Sequence, residues 1–371
     1  MKVCLDPGHG GSDPGAVGNG LLEKNLTLAI CLALKPLLEN NGISVILTRD
    51  GDYAPEHIEG TMKEQLKARV AIAEKNKVDL FVAVHINAGG GTGQEILIIG
   101  KGGQAEKAAN RVLPFLVSAG SWANRGVKTQ NVLVLRETSM PAILTENGFI
   151  DHAMDSEKLK DPSFRYALAV AHAKGLCAYF GIQYKTPILG KETVTLEQCQ
   201  QFMLKKNPQA LDIIPFYKIK GELLGIRWGY ALAQMMKETG YLKFGGDVLP
   251  SQYNFAGIGA IGGGAPGATF STPEEGVLAH LEHLYAYASA DPLPVGISKV
   301  DPRFDLVLRA SCPNWEDLNG HWAVPGIHYG EDIVAIYKGI AAEVVKPLQD
   351  AGVALFIDNL MEYIKDYSKN N

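Results

Sequence analysis

Two imidazoles and two carboxylates in the first half of the chain, His9, Glu23, His85 and Glu146, are of the types that make a hydrolytic metal centre if the fold brings them together. Two histidines and one carboxylate, with water in a fourth position, form a catalytic zinc shell, whereas a structural site closes itself with four protein ligands, often thiolates. The sequence has no CxxC pair to offer thiolates. His9, Glu23 and His85 are therefore assigned to Zn²⁺, and Glu146 is left free to take a proton from an attacking water and hand it to a leaving nitrogen. Plainer readings stand beside these. His9 can be a solvated histidine in a Gly-rich turn, His85 a core histidine bonded to backbone, and Glu146 a strand-end carboxylate satisfied by Arg49, Arg136 or a helix N-terminus. Spacing alone does not choose, because periodicity carries no information on convergence in three dimensions.

The elements that must position these groups alternate. MKVCLDPGHGG reads as a short apolar strand running into a turn in which His9 sits among Gly8, Gly10 and Gly11. A Gly-, Asp- and Pro-rich loop then delivers Glu23 ahead of a buried helix, Leu26 to Leu38, which Pro36 kinks or shortens and Asn40, Asn41 and Gly42 stop. A strand at Ile43 to Thr48 follows, then a helix at Thr61 to Lys77 and a strand at Asp79 to Ile86 with His85 at its end. The pattern continues with a strand at Ile96 to Ile99, a helix at Ala105 to Leu116, strands at Val132 to Leu135 and Ala142 to Phe149, and a helix at Phe164 to Phe180. Such alternation predicts an α/β domain, a mostly parallel sheet with helices on both faces. Ligand sites in such sheets gather at the carboxyl ends of the strands, where all four candidates fall.

DPGHGG, Glu23 in LLEKN, VHINA and MPAILTENGFI, in that order, resemble the zinc-dependent N-acetylmuramoyl-L-alanine amidases of the amidase-3 group, over roughly residues 1 to 183. The resemblance implies zinc on His9, Glu23 and His85, a catalytic Glu146, and cleavage between the lactyl group of N-acetylmuramic acid and L-alanine in bacterial peptidoglycan. The family often has Ser where Val84 stands.

QYKTPILGKE shows little periodicity, so the expected division is residues 1–183, a linker at 184–192 and a second domain at 193–371. A short helix, Leu196 to Leu204, opens the second domain, and ELLGIRWGYALAQMMKET predicts one strong helix from Glu222 to Thr239. Glu238 stands in its last turn, where the negative end of the helix dipole and partial burial raise a carboxyl pKa, as a general acid requires. The plainer reading is a solvated helix-end glutamate. KETGYLKFGGDVLPSQYNFAGIGAIGGG, ATFSTPEEGVLAHLEHLYAYAS and WEDLNGHWAVPG resemble the glucosaminidase domains of glycoside hydrolase family 73 over roughly residues 193 to 350. That resemblance implies a mainly α, lysozyme-like second domain with Glu238 as catalytic acid, Tyr253, Asn254 and Phe255 near the cleft, and Tyr285 or Tyr287 placing the sugar. Some relatives carry a second carboxylate in the following hairpin, but Gly257 to Thr269 holds no acid. Asp247, Glu274 and Glu275 remain as candidates, or the substrate's 2-acetamido group assists. Gly262, Gly264 and Gly267 form a GxGxxG outside any strand–turn–helix unit, which gives nucleotide binding no support. Trp315 and Trp322 are candidates for stacking on sugar, with core packing the safer reading for at least one. Leu355, Ile357, Leu360 and Ile364 predict a helical stripe in the tail that packs on the domain.

Composition bounds the rest. The chain has 371 residues, 46% of them hydrophobic, and a formal charge of −5, which gives no basic footprint for nucleic acid. Five widely spaced cysteines read as reduced core residues. The most apolar long segment, Tyr166 to Ile182, contains His172 and Lys174 and reads as a packed helix rather than a membrane span. No charged n-region and apolar h-region precede the first strand, so the expectation is a protein made in the cytoplasm without a signal peptide that reaches the wall through a holin-type pore, as phage endolysins do. No obligate protein partner and no membrane insertion are implied. The expected function is a bifunctional peptidoglycan hydrolase, zinc amidase plus glucosaminidase; the alternative is a single-activity amidase with a wall-binding second half.

Overall fold

The computed structural model describes residues 1–345 apart from 59, 261, 262, 265 and 266. The tail stripe from Leu355 to Ile364 and Gly262 of the glycine motif therefore lie outside the described residues. The first half runs β1 (Lys2–Pro7), β2 (Val17–Gly18), β3 (Leu21–Leu22), α1 (Glu23–Glu39), β4 (Ser44–Leu47), α2 (Met62–Asn76), β5 (Leu80–Asn87), β6 (Gln94–Ile98), α3 (Gln104–Gly120), β7 (Asn124–Thr129), α4 (Leu133–Arg136), β8 (Ala142–Phe149), α5 (Ala153–Lys160) and α6 (Pro162–Phe180).

Six of the strands form one sheet in the order β4-β1-β5-β8-β6-β7, parallel at every junction except β6 against β8. Strand alternation sorts its two faces. Val3, Leu5, Val82 and Val84 face the helices α1, α3 and α6, whereas Cys4, Phe81, Ala83 and Leu144 pack with Val70 and Ala73 of α2 and Val134 and Leu135 of α4. Both faces are thus dry, which is why the central strands read as near-continuous apolar runs. Pro36 lies inside α1 without ending it, and the helix runs on to Glu39.

One expectation for this half of the sheet needs correction. Val132 to Leu135 is not a strand: Leu133–Arg136 is a helical turn that tucks Val134 and Leu135 under the sheet. The strand of that region is β7, NRGVKT, whose residues are exposed or half-buried at the sheet edge. An edge strand of this composition carries no apolar alternation for periodicity to detect.

The second half consists of α7 (Leu196–Lys206), α8 (Ile214–Leu224), α9 (Trp228–Thr239), α10 (Pro273–Ala288) and α11 (Tyr329–Ala341), with short 3₁₀ turns between them. Among the described residues it contains only isolated β-bridges. The single helix expected from Glu222 to Thr239 is two. Gly225 takes a left-handed φ of 66°, its N–H and that of Ile226 bond back to Glu222 and Gly221, and Ile226 bridges to Leu189 before α9 starts at Trp228. The pattern of apolar residues survives this break because both helices bury their stripes in one cluster around Tyr217, Trp228 and Trp315.

The segment between the halves is pinned at both sides. Lys185 N–H donates to Asn41 Oδ1 at 2.7 Å, while Thr186 bonds Glu316 through N–H and hydroxyl at 2.7 and 2.9 Å. All five cysteines are buried free thiols. Among the described residues no helix is long and apolar enough to cross a membrane.

Candidate active site

His9 sits just past the end of β1 in the left-handed region, φ 63°. A histidine gains nothing from that conformation by itself, and two buried arginines hold the loop in it. Arg69 donates to Asp6 Oδ1 at 2.5 Å, to the Pro7 carbonyl at 2.8 Å and to the His9 carbonyl at 2.7 Å. Arg49 donates to the carbonyls of Pro7, Gly8 and Lys24 at 3.0, 2.9 and 2.8 Å. Sequence reading offered Arg49 as a partner for Glu146; it is instead part of the clamp on this loop. Neither arginine carried a signal in its spacing, since the loop carbonyls of Pro7, Gly8 and His9 that they hold lie 41 to 62 residues away in sequence.

Glu23, the first residue of α1, is buried at 4% exposure and reaches both histidines. Its Oε2 lies 3.1 Å from His9 Nε2 and its Oε1 3.0 Å from His85 Nδ1. The carboxylate is fixed further by the N–H groups of Ala16 and Ile86, at 2.8 and 2.9 Å. Burial works against its charge, but the His85 and His9 contacts outweigh burial and hold its pKa well below the usual carboxylate range. Asp13 accepts from His9 Nδ1 at 2.7 Å, which fixes the ring and leaves Nε2 as the coordinating atom. His9 is correspondingly raised: the Glu23 and Asp13 bonds overcome its own burial.

The potential ligand atoms of His9, Glu23 and His85 all lie within 4.8 Å of one another, a grouping able to hold a metal ion. The donor set of two imidazoles and an ionised, twice-anchored carboxylate fits zinc in an open three-ligand site. Glu146 stands in register with His85 on the adjacent strand β8. Its Oε2 is buried without a partner, and burial pushes its pKa up to about 7. A buried polar atom with no partner costs about 1–3 kcal/mol, so such an atom beside a donor cluster points to a ligand or reacting group that belongs there. Two glycines let the chain pass this close. A Cβ on Gly8 would lie 2.4 Å from His85 Cε1, and one on Gly15, which has φ 67°, 2.7 Å from Glu23 Oε2.

In the second half Glu238 ends α9 on an open face, yet its carboxyl is crowded by protein. Oε1 accepts from the Tyr329 hydroxyl, and Oε2 lies 3.7 Å from where a Cβ on Gly257 would be. Burial of the carboxyl raises its pKa; the Tyr329 bond and Lys237 oppose that without cancelling it. Beyond Gly257 a cavity of about 150 Å³ is lined by His283, Tyr287, Arg303, His321 and Trp322. His283 Nδ1 contacts the buried Asp301 carboxylate at 2.7 Å, a pair that sequence reading missed because it joins α10 to a loop residue at no helical spacing.

The structure brings Tyr287 to this cavity but not the other expected sugar contacts. Asn254 is buried and bonds Ile258 and Ala268, Phe255 lies in the helical core, Tyr285 is buried with its hydroxyl on the Pro292 carbonyl, and Tyr253 is half-buried against the core. Asn254 thereby shapes the loop that presents Gly257. Trp315 is a core residue, fully buried, whereas Trp322 lines the cavity. Of the three spare acids, Glu274 pairs with Lys220, the Glu275 carboxylate accepts the Ser271 N–H at the start of α10, and Asp247 is exposed.

The half of the chain that carries the His–Glu–His grouping is similar to the N-acetylmuramoyl-L-alanine amidases. The model of that family, Amidase_3, matches residues 3–178, and the chain belongs to the family. It is 42% identical over 214 residues to the sporulation-specific N-acetylmuramoyl-L-alanine amidase of Bacillus subtilis, an alignment covering 57% of this chain and 79% of the relative. The N-acetylmuramoyl-L-alanine amidase CwlM of Bacillus licheniformis is 40% identical, with the same coverage. An endolysin of Bacillus phage SPP1 is 38% identical over 192 residues, 50% of this chain and 68% of the phage protein.

Proposed function

We propose that the protein is a bifunctional peptidoglycan hydrolase. Residues 1–183 form a zinc amidase that cuts the N-acetylmuramoyl-L-alanine bond, residues 193–371 form a lysozyme-like glucosaminidase that cuts the glycan, and residues 184–192 join them. The observation that carries the amidase reading is the meeting of His9, Glu23 and His85 within 4.8 Å, with Glu146 alongside. His9, Glu23 and His85 would hold zinc, which when bound would supply a Lewis acid for the scissile carbonyl and lower the pKa of water. Asp13 keeps the proton on His9 Nδ1, and the N–H groups of Ala16 and Ile86 keep Glu23 from turning away. Glu146 Oε2, at a pKa of about 7, takes the proton of the attacking water and returns it to the leaving L-alanine nitrogen.

The glucosaminidase reading rests on Glu238, whose raised pKa suits a proton donor to the glycosidic oxygen. With Glu274 and Glu275 engaged elsewhere and Asp247 exposed, participation of the substrate's 2-acetamido group, which needs no second carboxylate, is favoured. Joining both activities raises the local concentration of each on the insoluble wall.

Mass spectrometry of wall fragments released by the intact chain tests both assignments. Free stem peptides beginning at L-alanine and new N-acetylglucosamine reducing ends are expected together. Stem peptides without new reducing ends make the second half a binding module; an uncut lactyl–alanine bond makes the first half a peptidase.

A further inference from the structure

Tyr329, which bonds Glu238, is the last link of a chain of polar groups crossing the second core. Tyr217 on α8, His280 on α10, Gln234 on α9 and Tyr329 on α11 are 0%, 0%, 0% and 4% exposed, amid a cluster otherwise built of apolar side chains. The Tyr217 hydroxyl meets His280 Nδ1 at 2.8 Å, His280 Nε2 meets Gln234 Oε1 at 2.9 Å, and Gln234 Nε2 meets the Tyr329 hydroxyl at 2.8 Å. Gln234 and Glu238 are four residues apart and so share a face of α9.

The direction of every bond follows from the donor inventory. Gln234 Oε1 can only accept, so His280 carries its hydrogen on Nε2. His280 Nδ1 is then an acceptor, and Tyr217 must donate to it. At the other end the Gln234 amide N–H donates to Tyr329, whose own hydrogen goes to Glu238 Oε1. His280 keeps this tautomer because burial pushes its pKa down to about 3, so it stays neutral across the working range. Replacing such a network with apolar groups of the same shape is commonly neutral for stability, so four helices converging on one carboxyl are not explained by packing.

We propose that Tyr329, backed by Gln234, His280 and Tyr217, is a positioning residue that holds Glu238 Oε1 as a pure acceptor, making Oε2, on the Gly257 side, the oxygen that carries the reactive proton. The inference rests on the reading of Glu238 as the acid of glycan cleavage. The groups acting on Glu238 are Tyr329 from α11 and Lys237 from its own helix, the latter paired with Asp332 of α11 at 2.8 Å. Gly257, the residue nearest Oε2 on the other side, begins a stretch to Ala260 that has no titratable side chain.

The test is Tyr329→Phe in the full chain. Loss of the donor removes support for the carboxylate form, so Glu238 stays protonated to higher pH. The basic limb of the glycan-cleavage profile is expected to move up by about one pH unit, a ten-fold change in the ionisation constant, with kcat reduced about ten-fold and KM little altered. Gln234→Leu is expected to move the limb in the same direction by less, and Tyr217→Phe by less again. A lowered unfolding midpoint with an unmoved limb overturns the proposal and makes the chain a packing feature. The Glu238 carboxyl resonance, assigned by its loss in Glu238→Gln, is titrated by ¹³C NMR in parallel. If the intact chain releases no reducing ends but Tyr329→Phe still shifts that titration, the positioning role stands and the glycosidase reading fails. If neither titration nor limb shifts, the positioning role fails.

Discussion

Glu146 and Glu238 are both carboxyls raised by burial, and they are built in opposite ways. Glu146 has an oxygen without any protein partner, beside ligand groups that arrive from a loop after β1, the first residue of α1 and the end of β5. Glu238 is held at one oxygen by a hydroxyl that is itself held through three further side chains. In the first half the protein supplies converging donors and leaves the acid unsatisfied, as the proposed metal-assisted hydrolysis requires. In the second it supplies a finished polar network to one oxygen and leaves the other on the side of Gly257. The difference teaches where each site is vulnerable: the first to loss of convergence, the second to loss of a donor.

The largest expected effect separates acid from ligand in the first half. Glu146→Ala is expected to reduce release of stem peptides by about 10²–10⁴-fold while zinc, measured by plasma mass spectrometry, stays bound; loss of the metal would end the division of roles. Glu238→Gln is expected to abolish new reducing ends by a similar factor and leave amide cleavage untouched. An equal fall in both activities would mean the two sites are not independent.

Convergence itself is tested by Gly15→Ala. The new methyl would stand 2.7 Å from Glu23 Oε2 at a φ of 67°, so zinc affinity is expected to fall about 10–100-fold, the scale of disturbing a ligand's support. The same substitution at Gly257, whose Cβ would meet Glu238 Oε2 only at 3.7 Å, is expected to leave zinc binding unchanged.

The smallest effect compares the halves in stability. His172 and His280 are buried neutral, with pKa values pushed down to about 4 and about 3. Between those values and the unfolded value near 6.5 the unfolded chain binds the protons and the folded chain does not. Stability is therefore full above about pH 6.5 and declines as pH falls, by about 1.4 kcal/mol per pH unit for each histidine. Denaturant titration of His172→Gln and His280→Gln is expected to show a flatter acid limb in each; an unchanged slope would mean the replaced ring was protonated in the fold.

Much of the first site was legible because its parts lie at strand ends. Alternation placed His85 and Glu146 at the carboxyl ends of strands, the Gly-rich turn marked His9, and the pairing of β5 with β8 then made the two strand ends neighbours. What escaped was the clamp: Arg49 and Arg69 bond carbonyls, and nothing in a sequence says which carbonyl a buried guanidinium will meet. The strand β7 escaped because it lies at an exposed edge, and the break at Gly225 because the apolar stripe continues through it. In the second half Glu238 was singled out by the glucosaminidase resemblance, since its helix-end place alone reads as a solvated glutamate, and Asn254 and Phe255, expected at the cleft, turn inward, since a motif records residue types and not which way a loop faces.

The sequence by itself determined the alternating α/β first half, the identities of two histidines and two carboxylates able to do hydrolysis, and a helix-end acid in the second half, because hydrophobic period and residue chemistry are local. Only the tertiary structure decided that Glu23 touches both histidines, that Glu146 has an oxygen without a partner, and that Tyr217, His280, Gln234 and Tyr329 point one way toward Glu238. Those facts depend on the relative placement of elements tens of residues apart, set by the packing of two cores rather than by any spacing along the chain.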